Sequence, residues 1–393
     1  MDHNPRIAVV SPSVDRQHGT ERCLAEQLER LAAVYEIHLY SSSVNDINIE
    51  RINWHRVPAL PGPEFFSYLW FFAANHFVRW RDKAFRNLAP ALVYSPGINC
   101  ADANIISVHI LFSELRSRLR QELRLNSNSV LHWPRLIHRK LYYGLAAVLE
   151  RHFYSQTETL LIFPSNRVAA MIERDFHRTK YCSVIYHGCD TQRFRPEIRS
   201  VMRRSARATL GLRDDQIAVL LIGNDWKNKG VGCLIEAVAL SSQTNFCILA
   251  VGKDDPAPYR TMIGRANLND RVQFLPPRPD VEFYYAAADI YAGPSLEDAF
   301  SLPPLEAMAC GLPVITSRNA GVSEIISHAK DGFILEDASD ANELAKLLQL
   351  IAGDSELRDR IGKAAVVTAS QYTWDRNASQ LISVLEGARQ QAG

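Results

Sequence analysis

The stretch GPSLEDAFSLPPLEAMACGLPVIT, residues 293 to 316, decides how the chain is read. An acidic loop runs straight into Pro303 and Pro304, and the apolar run behind them is cut off at Gly311 and Pro313. Proline suits a first helical turn, where its missing N–H costs nothing. Glycine supplies a left-handed cap, and a proline just beyond it stops the helix. The spacing therefore predicts a helix of about two turns, too short to be stable alone in water, so it needs an outside reason to form. A helix N-terminus can hold a phosphate, and the small residues Ala299 and Ser301 before it let an anion approach. Asp298 and Glu306 lie on either side of that terminus. A carboxylate is a poor neighbour for phosphate unless it binds something attached to it, and sugar hydroxyls are the obvious candidates. A nucleotide diphosphate sugar fits, with a ribose at one end and a hexose at the other. A plainer reading also fits the residues: Glu306 complements the helix dipole and Asp298 is a turn residue.

Outward from this stretch, short β-branched runs alternate with helical patterns. RIAVVSPS, EIHLYSSS, ALVYSPG, NIISVHI, TLLIFPS and CSVIYHG read as strands in the first half. AVLLIGN, FCILAVGK, RVQFLPP, DIYAGPS and LPVITSR continue the theme in the second. Alternation of this kind implies parallel sheets covered by helices, and the length suits two doubly wound α/β domains. The polar stretch between Thr191 and Arg207 marks the boundary, giving domains 1–195 and 196–372. The amphipathic segment of about 373–393 is expected to pack back onto the first domain. Ligands of such sheets collect at the carboxyl ends of the strands, so a cleft between the domains is the expected site.

Composition narrows the class. The chain of 393 residues is 47% hydrophobic, and its seven cysteines include no C-x-x-C pair, which argues against a zinc site and a disulfide framework. The first residues lack a signal-peptide pattern, and the longest apolar tract, residues 65 to 78, is shorter than the roughly 18 to 20 residues a spanning helix needs. A cytoplasmic protein is expected. The net charge of +1 hides an asymmetry: residues 1–196 carry +6 and the rest −5. Residues 116–151 hold eight basic and two acidic side chains. Such a surface is either a solvated helix face or one that attracts an anionic substrate or an acidic membrane.

Three further features follow strands. In LIGNDWKNKGVGCLIEA, residues 221 to 237, Lys227 and Lys229 could neutralise a diphosphate leaving group, although the P-loop pattern is absent. In SPSVDRQHGTERCLAEQL, residues 11 to 28, Gly19 permits close backbone approach, without the G-x-G-x-x-G fingerprint. His109, ending NIISVHI, could bond a substrate hydroxyl. No Asp-x-Asp and no H-E-x-x-H occurs, so metal dependence and a bound cofactor are not expected.

Together these motifs resemble glycosyltransferase family 4, retaining enzymes of the GT-B fold. PSLEDAFSLPPLEAMA is similar to that family's E-x7-E signature, YHGCDTQRFRP to its interdomain motif, GNDWKNKG to its G-R-L-x-x-x-K-G loop, and HGTE and AGVSE to its two glycine-rich turns. The resemblance implies two Rossmann-like domains facing across a cleft, the first binding acceptor and the second donor. It implies that Glu306 binds the donor ribose and Asp298 the transferred sugar, and that the N–H groups of Phe300, Ser301 and Leu302 meet its hydroxyls or the diphosphate. Lys229 would stabilise the departing diphosphate, His109 would contact the sugar near its C6 hydroxyl, and Gly19 would belong to the loop over donor phosphate and acceptor. The chain departs from the pattern in six places. Asp298 is one methylene shorter than the usual Glu, and Asn224 replaces an Arg for which Lys227 is a partial substitute. His18, Ala299, Ser301 and Ala320 replace glycines.

The implied activity is retaining transfer of a sugar from a UDP- or GDP-linked donor, the donor being a substrate and not a cofactor. The acceptor would be a glycan or glycolipid of cell-envelope polysaccharide synthesis. Residues 65–86 and 116–151 would dock on the inner, anionic membrane face; no nucleic-acid partner is expected. A catalytically impaired nucleotide-sugar-binding protein, or a hydrolase or epimerase on the same fold, is the alternative.

Overall fold

A computed structural model describes residues 4–17, 19–118, 133–243 and 245–392. His18 and the middle of the basic segment, residues 119–132, lie outside the described residues.

The chain forms two compact units, Met1–Tyr186 with Asn377–Gly393, and His187–Arg376. The first is built on seven parallel strands: β1 (Arg6–Val10), β2 (Glu36–Ser41), β3 (Ile52–Arg56), β4 (Leu92–Pro96), β5 (Ile105–Ser107), β6 (Leu160–Phe163) and β7 (Cys182–Val184). They lie in the order β3-β2-β1-β4-β5-β6-β7. Helices α1 (Gly19–Leu31), α2 (Glu64–Arg86), α3 (Phe112–Arg118), α4 (Trp133–Tyr154) and α5 (Asn166–Phe176) connect them. The second unit has six parallel strands: β8 (Ile217–Ile222), β9 (Phe246–Val251), β10 (Val272–Leu275), β11 (Ile290–Gly293), β12 (Val314–Ser317) and β13 (Phe333–Leu335), in the order β10-β9-β8-β11-β12-β13. Its helices are α6 (Pro196–Thr209), α7 (Trp226–Lys229), α8 (Val231–Leu240), α9 (Ala257–Arg265), α10 (Glu282–Ala287), α11 (Leu302–Ala309), α12 (Ala341–Gly353) and α13 (Ser355–Ala369).

The inner strands read as unbroken apolar runs because both faces are buried: all six residues of β9 are buried, as are Ile7–Val10 of β1. Two strands escape the sequence pattern. β3 is an edge strand that buries Ile52 and leaves Asn53 and Trp54 exposed, and β13 is only three residues long. Arg207 of α6 is buried and satisfied by Asp289 and by the carbonyls of Ala287 and Gln216, which fixes that helix to the start of β11.

The boundary falls earlier than the polar stretch suggests. Residues 187–195 pack on the second unit: Cys189 bridges Thr373, Arg193 bonds Glu282, and Phe194 sits edge-on to Tyr285. Their charge serves packing there and not a linker. The final helix, α14 (Trp374–Ala392), contributes Leu381 and Leu385 to the first unit's core, and Asn377 donates to the Tyr186 carbonyl at 2.7 Å.

Candidate functional site

In the second unit the chain steps from one side of β8 to the other, so β8 and β11 are neighbours across the point where strand order reverses. Ligands of doubly wound sheets bind at the carboxyl ends there. The loops that follow these two strands carry the residues singled out above.

After β8, Asp225 takes a left-handed conformation (φ 58°) and caps the single turn α7, accepting from the Asn228 N–H. Gly230 follows at φ 83°, where a Cβ would stand 2.2 Å from the Pro294 carbonyl oxygen, so only glycine fits. Two bonds splice this turn to the loop after β11: Asn228 Nδ2 to the Glu297 carbonyl at 2.8 Å, and Leu296 N–H to the Asn228 carbonyl at 2.7 Å. Lys229 thereby forms an ion pair with Asp298 through Nζ and Oδ2, both side chains largely shielded from solvent. The Asp298 backbone is fixed by a bridge to Ala320, and its Oδ1 accepts from the Phe300 N–H at 3.3 Å.

Ser301, the residue before α11, sits at φ 77°, a conformation natural to glycine. Ala320 sits at φ −99°, which any residue adopts. The replaced glycines thus have different consequences. Helix α11 spans Leu302–Ala309 as the prolines indicate, and Gly311 at φ 76° ends it. Leu302 and Phe300 are buried, the Phe300 ring standing edge-on to His187 at 5.2 Å. Glu306 is 3% exposed, and the Tyr285 hydroxyl donates to its Oε2 at 2.7 Å. Burial, and then the Glu306 charge, push the Tyr285 phenol well above its ordinary range, so it remains a donor. Tyr285 on α10 is the partner that sequence reasoning missed; the run FYYAAA gives no signal beyond an apolar helix.

Two further expected donor residues are on the surface of the loop after β8. Asn224 is exposed and accepts from the Lys253 N–H at 3.1 Å. Lys227 is exposed and lies two positions from Lys229, on another side of the turn.

In the first unit Gly19 is the first residue of α1, and a Cβ there would meet nothing within 4 Å. His109 lies two residues beyond β5, half-buried, and burial pushes its imidazole down to about 4, so it is neutral at pH 7. Its turn is held at both ends. The Val108 N–H bonds the Ile162 carbonyl at 2.8 Å, and the buried Glu150 carboxylate accepts from the N–H groups of Phe112 and Ser113 at 2.5 and 2.9 Å. Among the described residues no group of three His, Cys, Asp or Glu side chains could hold a metal ion.

Residues 202–367, within the second unit, match the family model described as Glycosyl transferases group 1. A curated relative from Jonesia denitrificans, named D-inositol 3-phosphate glycosyltransferase, is 30% identical over 218 residues, 52% of this chain and 51% of the relative. A second of the same name, from Corynebacterium efficiens, is 29% identical over 61% of this chain and 59% of its own. The chain thus spans about half to three-fifths of the length of these relatives. WaaG, a glycosyltransferase involved in lipopolysaccharide biosynthesis, superposes with a TM-score of 0.76 at 19% identity over 95% of this chain and 98% of its own. HepE of Anabaena, in complex with UDP-glucose, gives 0.70 at 19% over 97% and 99%. The fold is GT-B.

Proposed function

We propose that the chain, whose residues 202–367 match the group 1 glycosyltransferase model and whose fold is GT-B, moves a sugar from a nucleotide diphosphate-sugar to an acceptor hydroxyl with retention at the anomeric carbon. One observation carries this reading: Lys229 and Asp298 come together where strand order reverses, beside the short helix whose Glu306 is buried and oriented by Tyr285. The bond from the anomeric carbon to the diphosphate oxygen breaks, and that oxygen takes the acceptor's proton. The acceptor oxygen then bonds the same face of the sugar. Lys229 offsets the charge that develops on the leaving group, the N-terminus of α11 faces the phosphates, and Glu306 holds the ribose. His109, neutral at working pH, bonds a sugar hydroxyl.

The donor is UDP- or GDP-linked, a choice supported by the UDP-glucose held by HepE. The acceptor is a cell-envelope glycan, glycolipid or phosphorylated cyclitol, the last supported by the names of the curated relatives. The chain works at the inner face of the cell membrane.

Thermal unfolding with UDP, GDP, ADP and their common sugar conjugates tests the donor site. At about 100 times its dissociation constant the right nucleotide stabilises by about 2.7 kcal/mol, and Glu306→Ala should abolish that gain. Transfer followed by mass spectrometry should fall about 10²–10³-fold in Lys229→Ala. Nucleotide binding without transfer to any acceptor sinks the enzyme reading in favour of a binding protein, and sugar release without acceptor points to a hydrolase.

A further inference from the structure

Helix α2 has an unusual outer face. Phe71, Asn75, Val78 and Asp82 are buried, and this 4-3-4 spacing defines the side packed on the first unit. The opposite side does not turn polar. Phe66, Trp70, Phe77 and Trp80 follow one another at helical spacing, exposed by 54, 44, 62 and 58%. Fourteen residues separate the first from the last, a stripe about 21 Å long. The stripe is ordered: the Trp70 indole donates to the Pro58 carbonyl at 2.8 Å, and the Trp80 ring lies 5.8 Å from Phe77.

Helix α4 lies beside it, packing on α2 through Tyr142 against Tyr68 and through His138, whose Nε2 accepts from the Phe65 N–H at 2.9 Å. At about 100° per residue the α2 stripe stands roughly 120–200° around the helix from Tyr68, so this contact leaves it uncovered. On α4, Leu141 and Val148 are also exposed, by 55 and 64%. A run of exposed aromatic rings such as that on α2 marks an interaction surface on a folded chain.

Charge selects the partner. The exposed charged side chains on α2 and the described part of α4 are Arg81, Lys83, Arg86, Lys140 and Arg151 against the single acid Glu64. Lys83 falls on one flank of the aromatic stripe, and Arg81, which also pairs with the buried Asp82 at 2.9 Å, on the other. No helix among the described residues is long and apolar enough to cross a membrane. Exposed tryptophans and phenylalanines bordered by arginine and lysine are the chemistry of a surface that lies in the boundary of an anionic bilayer. We infer that the outer face of α2 is a docking surface for anionic lipid, with the aromatic rings entering the headgroup boundary and the flanking cations meeting lipid phosphates. This names the membrane contact of the function proposed above and rests on that reading only for its purpose.

The test is co-sedimentation of the full chain with vesicles of phosphatidylcholine alone, or with about one quarter phosphatidylglycerol, at low and high salt. The chain should sediment with the anionic vesicles at low salt and be released at high salt. Trp70→Ser with Trp80→Ser should weaken partitioning about tenfold or more, and Lys83→Glu should weaken the preference for anionic lipid. All three side chains are exposed, and unchanged unfolding midpoints confirm intact folding. A chain that stays in solution at low salt, or variants that bind like the wild type, overturn the inference. So does a wild type that dimerises in sedimentation velocity and becomes monomeric in the Trp variant, since the face would then bind a second copy. Nucleotide-induced stabilisation, measured on the same variants, reports the donor site separately, so loss of one result leaves the other standing.

Discussion

Ser301→Gly should stabilise the protein, against the usual cost of putting glycine into a folded chain. Ser301 stands at φ 77° and ψ 102° immediately before α11. A non-glycine residue in so sparsely populated a region costs about 1–3 kcal/mol. Glycine relieves that strain and adds about 0.4–1 kcal/mol of unfolded-state entropy. The balance is a gain of about 1 kcal/mol, or roughly 2–4 °C in midpoint for a unit of this size. Ala320→Gly is the matched control, because it too would restore a glycine of the resemblance. Ala320 is buried at φ −99°, so glycine relieves nothing there. It removes a buried methyl worth about 0.8 kcal/mol and adds the same entropy, for a loss of about 1–2 kcal/mol. Thermal and urea unfolding should move the two variants in opposite directions. A Ser301→Gly protein that loses stability as Ala320→Gly does would refute the strain assigned to this turn.

Two other outcomes follow from the packing. Burial raises the Glu150 carboxyl from an ordinary 4.5 to about 6, more than the Phe112 and Ser113 N–H groups lower it. Its folded value lies above its unfolded one, so this group's contribution is complete below about pH 4.5 and is lost as pH rises through about 6, a swing of about 2 kcal/mol. Relative to Glu150→Gln, the wild type should therefore lose about that much stability between pH 4 and pH 7 in urea titrations, and parallel profiles would contradict it. Gly230→Ala places a Cβ 2.2 Å from the Pro294 carbonyl oxygen at φ 83°, and should cost about 2–4 kcal/mol of unfolding free energy in urea titrations and separate Lys229 from Asp298. A neutral effect would mean that the loops after β8 and β11 are not locked together.

The two-domain α/β architecture was legible because buried parallel strands leave continuous apolar runs, which is why β1, β8 and β9 stand out in the chain. β3 and β13 do not, the one being an exposed edge and the other three residues long. The helix at 302–309 was legible because proline and glycine act locally. Its strained entry at Ser301 was visible only as a serine where the resemblance has glycine; the backbone angle is set by the tertiary fold. The boundary misled because Arg193 reads as linker charge, whereas its partner Glu282 lies 89 positions away. The aromatic stripe of α2 was legible as an apolar tract, but spacing does not say which aromatic residues face the core.

Lys229 and Asp298 show where the limit of sequence reading falls. Each was found by its place after a strand, yet their pairing spans 69 positions and depends on β8 and β11 being neighbours, a fact of strand order and not of spacing. Once the order is known the pair follows, because the loops after adjacent parallel strands emerge on the same edge of the sheet. The same logic explains why Tyr285 was missed. It comes from the helix preceding β11, and it reaches Glu306 only because α11 folds back over that strand's carboxyl end. Residues that act through loops after strands announce themselves in sequence. Residues that act by packing beneath them do so only through the fold, and Tyr285, which orients Glu306 and keeps its own proton, belongs to this second kind.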